Sequence, residues 1–197
     1  MKVFAFSDIH VDLERTREII RMDADVFILA GDLTDLEEGL EEIARALAPL
    51  KEKLWVMPGN NERAKDVKRV CTQYGFTWFH DTLKTLEDYT FFGLGYSNPT
   101  PFGTPGERTE NEITRVLETA HGAKKLIIAS HAPPYKTGID TTRSGTHTGS
   151  RALRDFIEKE EPLMVLAGHI HENAGKVSIF GRTTLISLGK QGVLLEL

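Results

Sequence analysis

Seven side chains with oxygen or imidazole donors recur in this sequence at one kind of place. Asp8 and His10 follow an apolar run at residues 3–6, Asp32 follows the run 27–30, and Asn60 follows 54–57. His131 follows 126–129, and His169 and His171 follow 163–167. Carboxylate, carboxamide and imidazole together suit first-row divalent ions such as Mn, Fe, Zn, Ni or Co. With no thiolate among them, the set does not make a structural zinc cage. One tetrahedral or octahedral ion needs fewer than seven donors. Two ions sharing one carboxylate, ~3.5–4 Å apart, use them all, and such pairs clamp the attacking and leaving oxygens of a phosphoryl displacement.

Runs this short and this apolar read as strands buried on both faces, and open α/β sheets collect ligands at the carboxyl ends of such strands. Between them the sequence places helices. Asp12 can cap one that runs to about residue 21, and Asp35 with Glu38 resembles a capping box for one that runs to Pro49. A third is expected from about residue 62 to 74, with Asn61 as its N-cap. Strand and helix alternate three times, the pattern of an α/β sheet. Residues 83–86 and 89–94 then predict a hairpin around Glu87 and Asp88, and the Pro- and Gly-rich segment 98–106 a long, partly stiffened loop. Thr109 with Glu112 makes a further capping box, Ser150 can cap a later helix, and 176–180, 183–188 and 193–197 read as an antiparallel meander.

Composition sets bounds on partners. A chain of 197 residues is expected to form one domain, 1–197, with a sizeable core. A net charge of −5 argues against an extended nucleic-acid surface. No apolar run approaches the ~20 residues that span a bilayer, so no membrane partner is expected. The N-terminus has no signal-peptide pattern, which predicts a cytoplasmic protein. The one cysteine, Cys71, shares a helical face with Val67, Val70 and Tyr74 and reads as a buried apolar residue. His80 and His121 read as ordinary polar residues.

The blocks Asp8-Ile9-His10, Gly31-Asp32-Leu33-Thr34-Asp35, Gly59-Asn60-Asn61-Glu62, Ser130-His131 and Gly168-His169-Ile170-His171 resemble the motif set of the calcineurin-like metallophosphoesterase superfamily, in particular its small prokaryotic phosphodiesterase-type members. The resemblance implies an α/β fold of four layers, two mixed β-sheets packed as a sandwich flanked by α-helices. It implies that Asp8, His10, Asp32 and His171 hold one ion and Asp32, Asn60, His131 and His169 the other, with Asp32 as the bridge. The reaction implied is hydrolysis of a small phosphate-ester substrate by in-line attack of metal-activated water, with a phosphodiester favoured and a cyclic nucleotide among the substrates considered. Alternatives are a phosphomonoesterase or protein phosphatase of the same fold, and a non-catalytic scaffold like the retromer subunit; the scaffold is disfavoured because all seven donors are intact.

One position departs from the family pattern. Where these proteins have a His that contacts phosphate, this chain has Asn61, which cannot act as a general acid but can hydrogen-bond phosphate. His147 is a candidate to compensate, because it precedes a helix whose free N–H groups would favour an anion. Arg143 in the same loop is a further phosphate contact to consider, and Phe102 in the Pro-rich loop a surface on which a nucleobase could stack.

Overall fold

The apolar runs become strands with both faces covered in the computed structural model, which describes all 197 residues. The chain order begins β1 (Lys2–Phe6), α1 (Leu13–Ile19), β2 (Val26–Ala30), α2 (Leu40–Leu47), β3 (Leu54–Met57), α3 (Ala64–Tyr74) and β4 (Thr77–Trp78). It continues with β5 (Thr82–Leu86), β6 (Tyr89–Leu94), α4 (Glu110–Leu117), β7 (Leu126–Ser130) and α5 (Arg151–Glu160). It ends with β8 (Met164–Ala167), β9 (Val177–Phe180), β10 (Thr183–Ser187) and β11 (Val193–Glu196). Two sheets result, one ordered β11-β1-β2-β3-β4 and one ordered β5-β6-β7-β8-β10-β9. Both are mixed: β11 runs antiparallel to β1 beside an otherwise parallel set, and β5 and β9 are antiparallel edges of the second sheet.

The period-2 alternation of each strand divides its residues between two cores. Phe4, Phe6, Phe27, Leu29, Leu54 and Val56 pack with α1, α2 and α3. Their neighbours Val3, Ala5, Val26, Ile28, Trp55 and Met57 point the other way and meet Phe91, Ile127, Ala129 and Leu166 of the second sheet. The second sheet's outer face packs on α4 and α5 through Ile113, Leu117, Leu153, Phe156 and Ile157. Four layers follow, helices on sheet on sheet on helices. Trp55 bridges the two sheets with ring centroids 5.0 Å from Phe79 and 5.7 Å from Phe91. Burying a large apolar side chain contributes roughly 1.5–3 kcal/mol, so the inter-sheet core helps to hold the strand ends in place. No helix is long and apolar enough to cross a membrane.

Several local expectations hold. Asp12 caps α1 by accepting from Arg15 N, Thr109 and Glu112 form a reciprocal capping box, Ser150 caps α5, and Cys71 is buried with its thiol pushed up to about 12 by desolvation. Others do not. Asp35 opens no helix: Leu36 and Glu37 take positive φ (46° and 73°), and α2 starts only after Gly39, at φ 80°. Those backbone angles lie outside the helical well, and the Asp35 carboxylate turns instead to His10. The C-terminal meander is only half formed. β9 and β10 pair antiparallel, but β10 also lies parallel to β8, and β11 crosses to the other sheet to pair with β1. Of the two histidines expected to be ordinary polar residues, His80 is buried and exposed His121 pairs with Glu160 at 2.7 Å.

Candidate metal centre

β1, β2 and β3 of one sheet and β7 and β8 of the other end along one edge, where both sheets deliver their polar residues. The tips are tied together by backbone. Asp8 N donates to Gly31 O at 3.0 Å, His10 N to Asp32 O at 3.2 Å and Gly168 N to His131 O at 3.0 Å. Across the sheets, His169 N donates to both carboxylate oxygens of Asp8 at 3.1 Å. Asp8, His10, Asp32 and His169 all have left-handed backbone, with φ of 55°, 41°, 52° and 70°. Non-glycine residues rarely adopt that region, and strain of this kind concentrates at functional sites.

Two triads of donor atoms converge, Asp8 with His10 and His171, and Asp32 with His131 and His169; within each, the donor atoms lie within 4.8 Å of one another. Asn60 belongs with the second, its Oδ1 lying 2.8 Å from His131 Nε2. Asp32 stands between them. Its Oδ2 is 3.7 Å from His10 Nε2 and its Oδ1 is 3.4 Å from His131 Nε2. Gly59 is required beside it, because a Cβ at that position would run into the Asp32 carboxylate and backbone.

Partners further out set the imidazoles. His10 Nδ1 lies 2.9 Å from Thr34 O and 2.8 Å from Asp35 Oδ1, and His131 Nδ1 lies 2.9 Å from Ala30 O. With Nδ1–H engaged, each ring presents Nε2 to the centre, as metal-ligating histidines do. Burial first and the His131 charge second push His169 down to about 4, which keeps its lone pair free. Burial opposes ionisation of Asp8, yet hydrogen bonds from His171 and Ser7 and the charge of His131 outweigh it and hold the carboxyl at about 2. The chemistry of the donors therefore fits a pair of divalent ions.

The residues beside the motif donors act differently from what the sequence predicts. Asn61 does not cap α3, which starts at Ala64 with no side-chain cap. Its Nδ2 donates to Asp32 Oδ2 at 2.6 Å, its N–H to Asp32 Oδ1 at 3.0 Å, and its Oδ1 accepts from Leu36 N at 3.1 Å. Asn61 thus clamps the central carboxylate. Glu62, to which the sequence reading gave no role, is 1% exposed and accepts from Thr34 N, Thr34 Oγ1 and Gly59 N, each at 2.8 Å. Burial, and then the Asp32 charge, push it up to about 7. It joins the loop carrying Asp32 to the turn carrying Asn60, and only its place in the third block hinted at this.

A cleft of about 630 Å³ opens beside the donors, and His10, Asp32, Asn61, Phe102, Tyr135 and His147 are among its walls. His147 Nδ1 lies 2.9 Å from the fully buried Asp140 carboxylate, which leaves Nε2 as its free nitrogen. The helix end beyond it is already filled. Glu110 of α4 accepts from Ser150 Oγ, Arg151 N and Ala152 N at 2.8–3.0 Å, so those N–H groups do not await a substrate anion as the sequence suggested. Arg143 is not a wall of the cleft. Phe102 is 83% exposed at the cleft.

Comparison with known proteins agrees with this architecture. The chain is 34% identical over 180 residues to the uncharacterized protein MJ1162 of Methanocaldococcus jannaschii, covering 88% of this chain and 81% of that one. It is 26% identical over 156 residues to a probable glycerophosphodiester phosphodiesterase, GpdQ, of Arcobacter nitrofigilis, covering 75% of this chain and 56% of the relative. Among solved structures, TT1561 of Thermus thermophilus shares the fold with a TM-score of 0.74 at 18% identity, covering 95% of this chain and 88% of that one. A profile described as calcineurin-like phosphoesterase matches residues 1–173, a span that takes in all five strand ends. The chain therefore belongs to the calcineurin-like phosphoesterase family of metal-dependent hydrolases.

Proposed function

We propose that the chain hydrolyses small phosphodiesters at a dinuclear centre, with Asp8, His10, Asp32 and His171 holding one divalent ion and Asp32, Asn60, His131 and His169 the other. The observation that carries this reading is the position of Asp32, one oxygen facing His10 and the other facing His131. Mn, Fe, Zn, Ni and Co all suit such oxygen and imidazole donors. Bound there, two such ions supply Lewis acidity at the phosphoryl oxygens and lower the pKa of coordinated water.

The chain's own residues do the rest. Thr34, Asp35 and Ala30 fix the ring orientations of His10 and His131, and Asn61 holds the Asp32 carboxylate. Hydrolysis forms one P–O bond to water oxygen and breaks one ester P–O bond, releasing an alcohol that must gain a proton. Asn61 has no titratable proton to give. His147, held through Nδ1 by Asp140 and lining the same cleft, is the residue that, with its ring protonated on both nitrogens, would donate from Nε2–H to a phosphoryl or leaving oxygen. A diester, whose phosphate carries a single negative charge, demands less charge neutralisation than a monoester, which matches a site with Asn61 in place of a histidine. The phosphodiesterase name of the Arcobacter relative supports the same preference.

The test is metal-stripped protein resupplied with each of Mn, Fe, Zn, Ni and Co and assayed on bis(4-nitrophenyl) phosphate and 4-nitrophenyl phosphate. The diester is expected to turn over faster, and Asp32→Asn to lose about 100-fold or more in kcat/KM as metal binding fails. A preference for the monoester, or turnover by Asp32→Asn equal to wild type, overturns the assignment.

A further inference from the structure

On the other flank of the same donors lies a second cavity, of about 610 Å³. His10 and His171 line both cavities, so a phosphate held at these histidines has room for an organic group on each side. The two walls differ in chemistry. Phe102, Tyr135, Pro99 and Pro101 are among the walls of the first, whereas the second has no Phe, Tyr or Trp and sets the side chains of Asp12, Lys190 and Gln191 beside Ile9 and Ala174.

We propose that the second cavity is a subsite for the hydroxyl-bearing arm of a linear phosphodiester, an inference that rests on the phosphodiesterase reading above. A monoester or a cyclic diester carries one organic group and would leave one of the two cavities unused. The arm's chemistry follows from the wall. Lys190 Nζ donates to Asp12 Oδ2 at 2.7 Å, so the ammonium charge is already balanced. An anionic arm would meet the Asp12 carboxylate, a cationic one would meet Lys190, and an apolar one would desolvate both without replacing their hydrogen bonds. A hydroxyl group donates to the carboxylate, accepts from the ammonium, and does either with the Gln191 carboxamide.

The loop that carries these groups is braced before any ligand arrives. Arg15 donates through Nε to Lys190 O at 2.8 Å and through Nη2 to Gln191 O at 2.7 Å. Gly189 N donates to Ser7 Oγ at 3.0 Å, and Ser7 N to Gly189 O at 3.1 Å, which ties the loop to the residue before Asp8. Asp12 uses Oδ1 to cap α1 and keeps Oδ2 for Lys190. A backbone braced in this way leaves mainly side-chain freedom to be lost when a ligand arrives.

The test uses two diesters with the same 4-nitrophenyl group and different second arms, glyceryl 4-nitrophenyl phosphate and methyl 4-nitrophenyl phosphate, with the metal-loaded enzyme. Wild type is expected to favour the glyceryl diester in kcat/KM. Lys190→Met and Gln191→Ala, both at exposed loop positions, are each expected to shrink that preference about 3- to 10-fold through KM, the effect of one or two lost hydrogen bonds. No preference in wild type, or a preference untouched in both variants, overturns the subsite while leaving diester hydrolysis standing. Hydrolysis of 4-nitrophenyl phosphate with neither diester turned over overturns the phosphodiesterase reading and the subsite with it.

Discussion

Acidification should weaken this fold through one residue remote from the candidate metal donors. His80 joins β4 to β5, is 7% exposed, and lies with Nε2 2.9 Å from Arg108 Nη2. A guanidinium only donates, so Nε2 accepts and the ring is neutral. Arg108 has no other position to take, because its fork also grips Asp81 at 2.6 and 2.8 Å and its plane stacks 4.9 Å from the Tyr96 centroid. Burial, with the Arg108 charge behind it, pushes His80 down to about 4 from an ordinary 6.5, against the pull of Asp81. The unfolded chain then takes up a proton that the folded chain refuses. The stability is fully present above pH 6.5, falls as the pH drops towards 4, and levels off below. The gap between those two values corresponds to about 3 kcal/mol across the window, of which about 2 kcal/mol is gone by pH 5. Urea unfolding of wild type and His80→Gln at pH 8, 6.5 and 5 measures it. The Gln oxygen still accepts from Arg108 but nothing titrates, so wild type should lose about 2 kcal/mol more than the variant between pH 8 and 5. Equal losses would refute the reasoning. The consequence reaches the site, since His80 packs 5.0 Å from the Tyr96 ring, and Tyr96 N donates to Pro58 O just before Asn60.

Two further substitutions probe the positioning contacts. Glu110→Ala removes three hydrogen bonds at the start of α5 and should destabilise the protein by about 1–2 kcal/mol in urea unfolding at pH 7; a loss below about 0.5 kcal/mol would show that solvent caps the helix equally well. Gly59→Ala places a Cβ against the Asp32 carboxylate and backbone and should weaken metal binding, read by titration calorimetry, by about 10-fold or more. Wild-type affinity in that variant would show that the turn moves aside and that the close approach is not required.

What could be read from the sequence and what could not divide along a physical line. The seven donors sit at the ends of five strands, and a strand buried on both faces announces itself as an unbroken apolar run, so Asp8, Asp32 and His131 were visible from a few residues of context. Alternation along a strand tells which face is buried but not which strand lies beside it, and for that reason the crossing of β11 to the first sheet was out of reach. The contacts that tune the donors lie further still from local pattern. Glu110 reaches the start of α5 from 40 residues upstream, and Glu62 takes Thr34 from 28 residues away. Asn61 shows the limit most clearly. Its residue type suits a helix cap and its neighbour Asn60 suits a ligand, so both readings were local. The partner it takes, Asp32, lies 29 residues back and is brought to it by the pairing of β2 with β3. The donor types can therefore be set by five short segments independently, while the orientation of each donor depends on two segments at once. Changes in this chain that alter specificity without abolishing metal binding should accordingly fall in the loops that meet across the sheet edge, those of Asn61, His147 and Lys190, and not in the strands that end there.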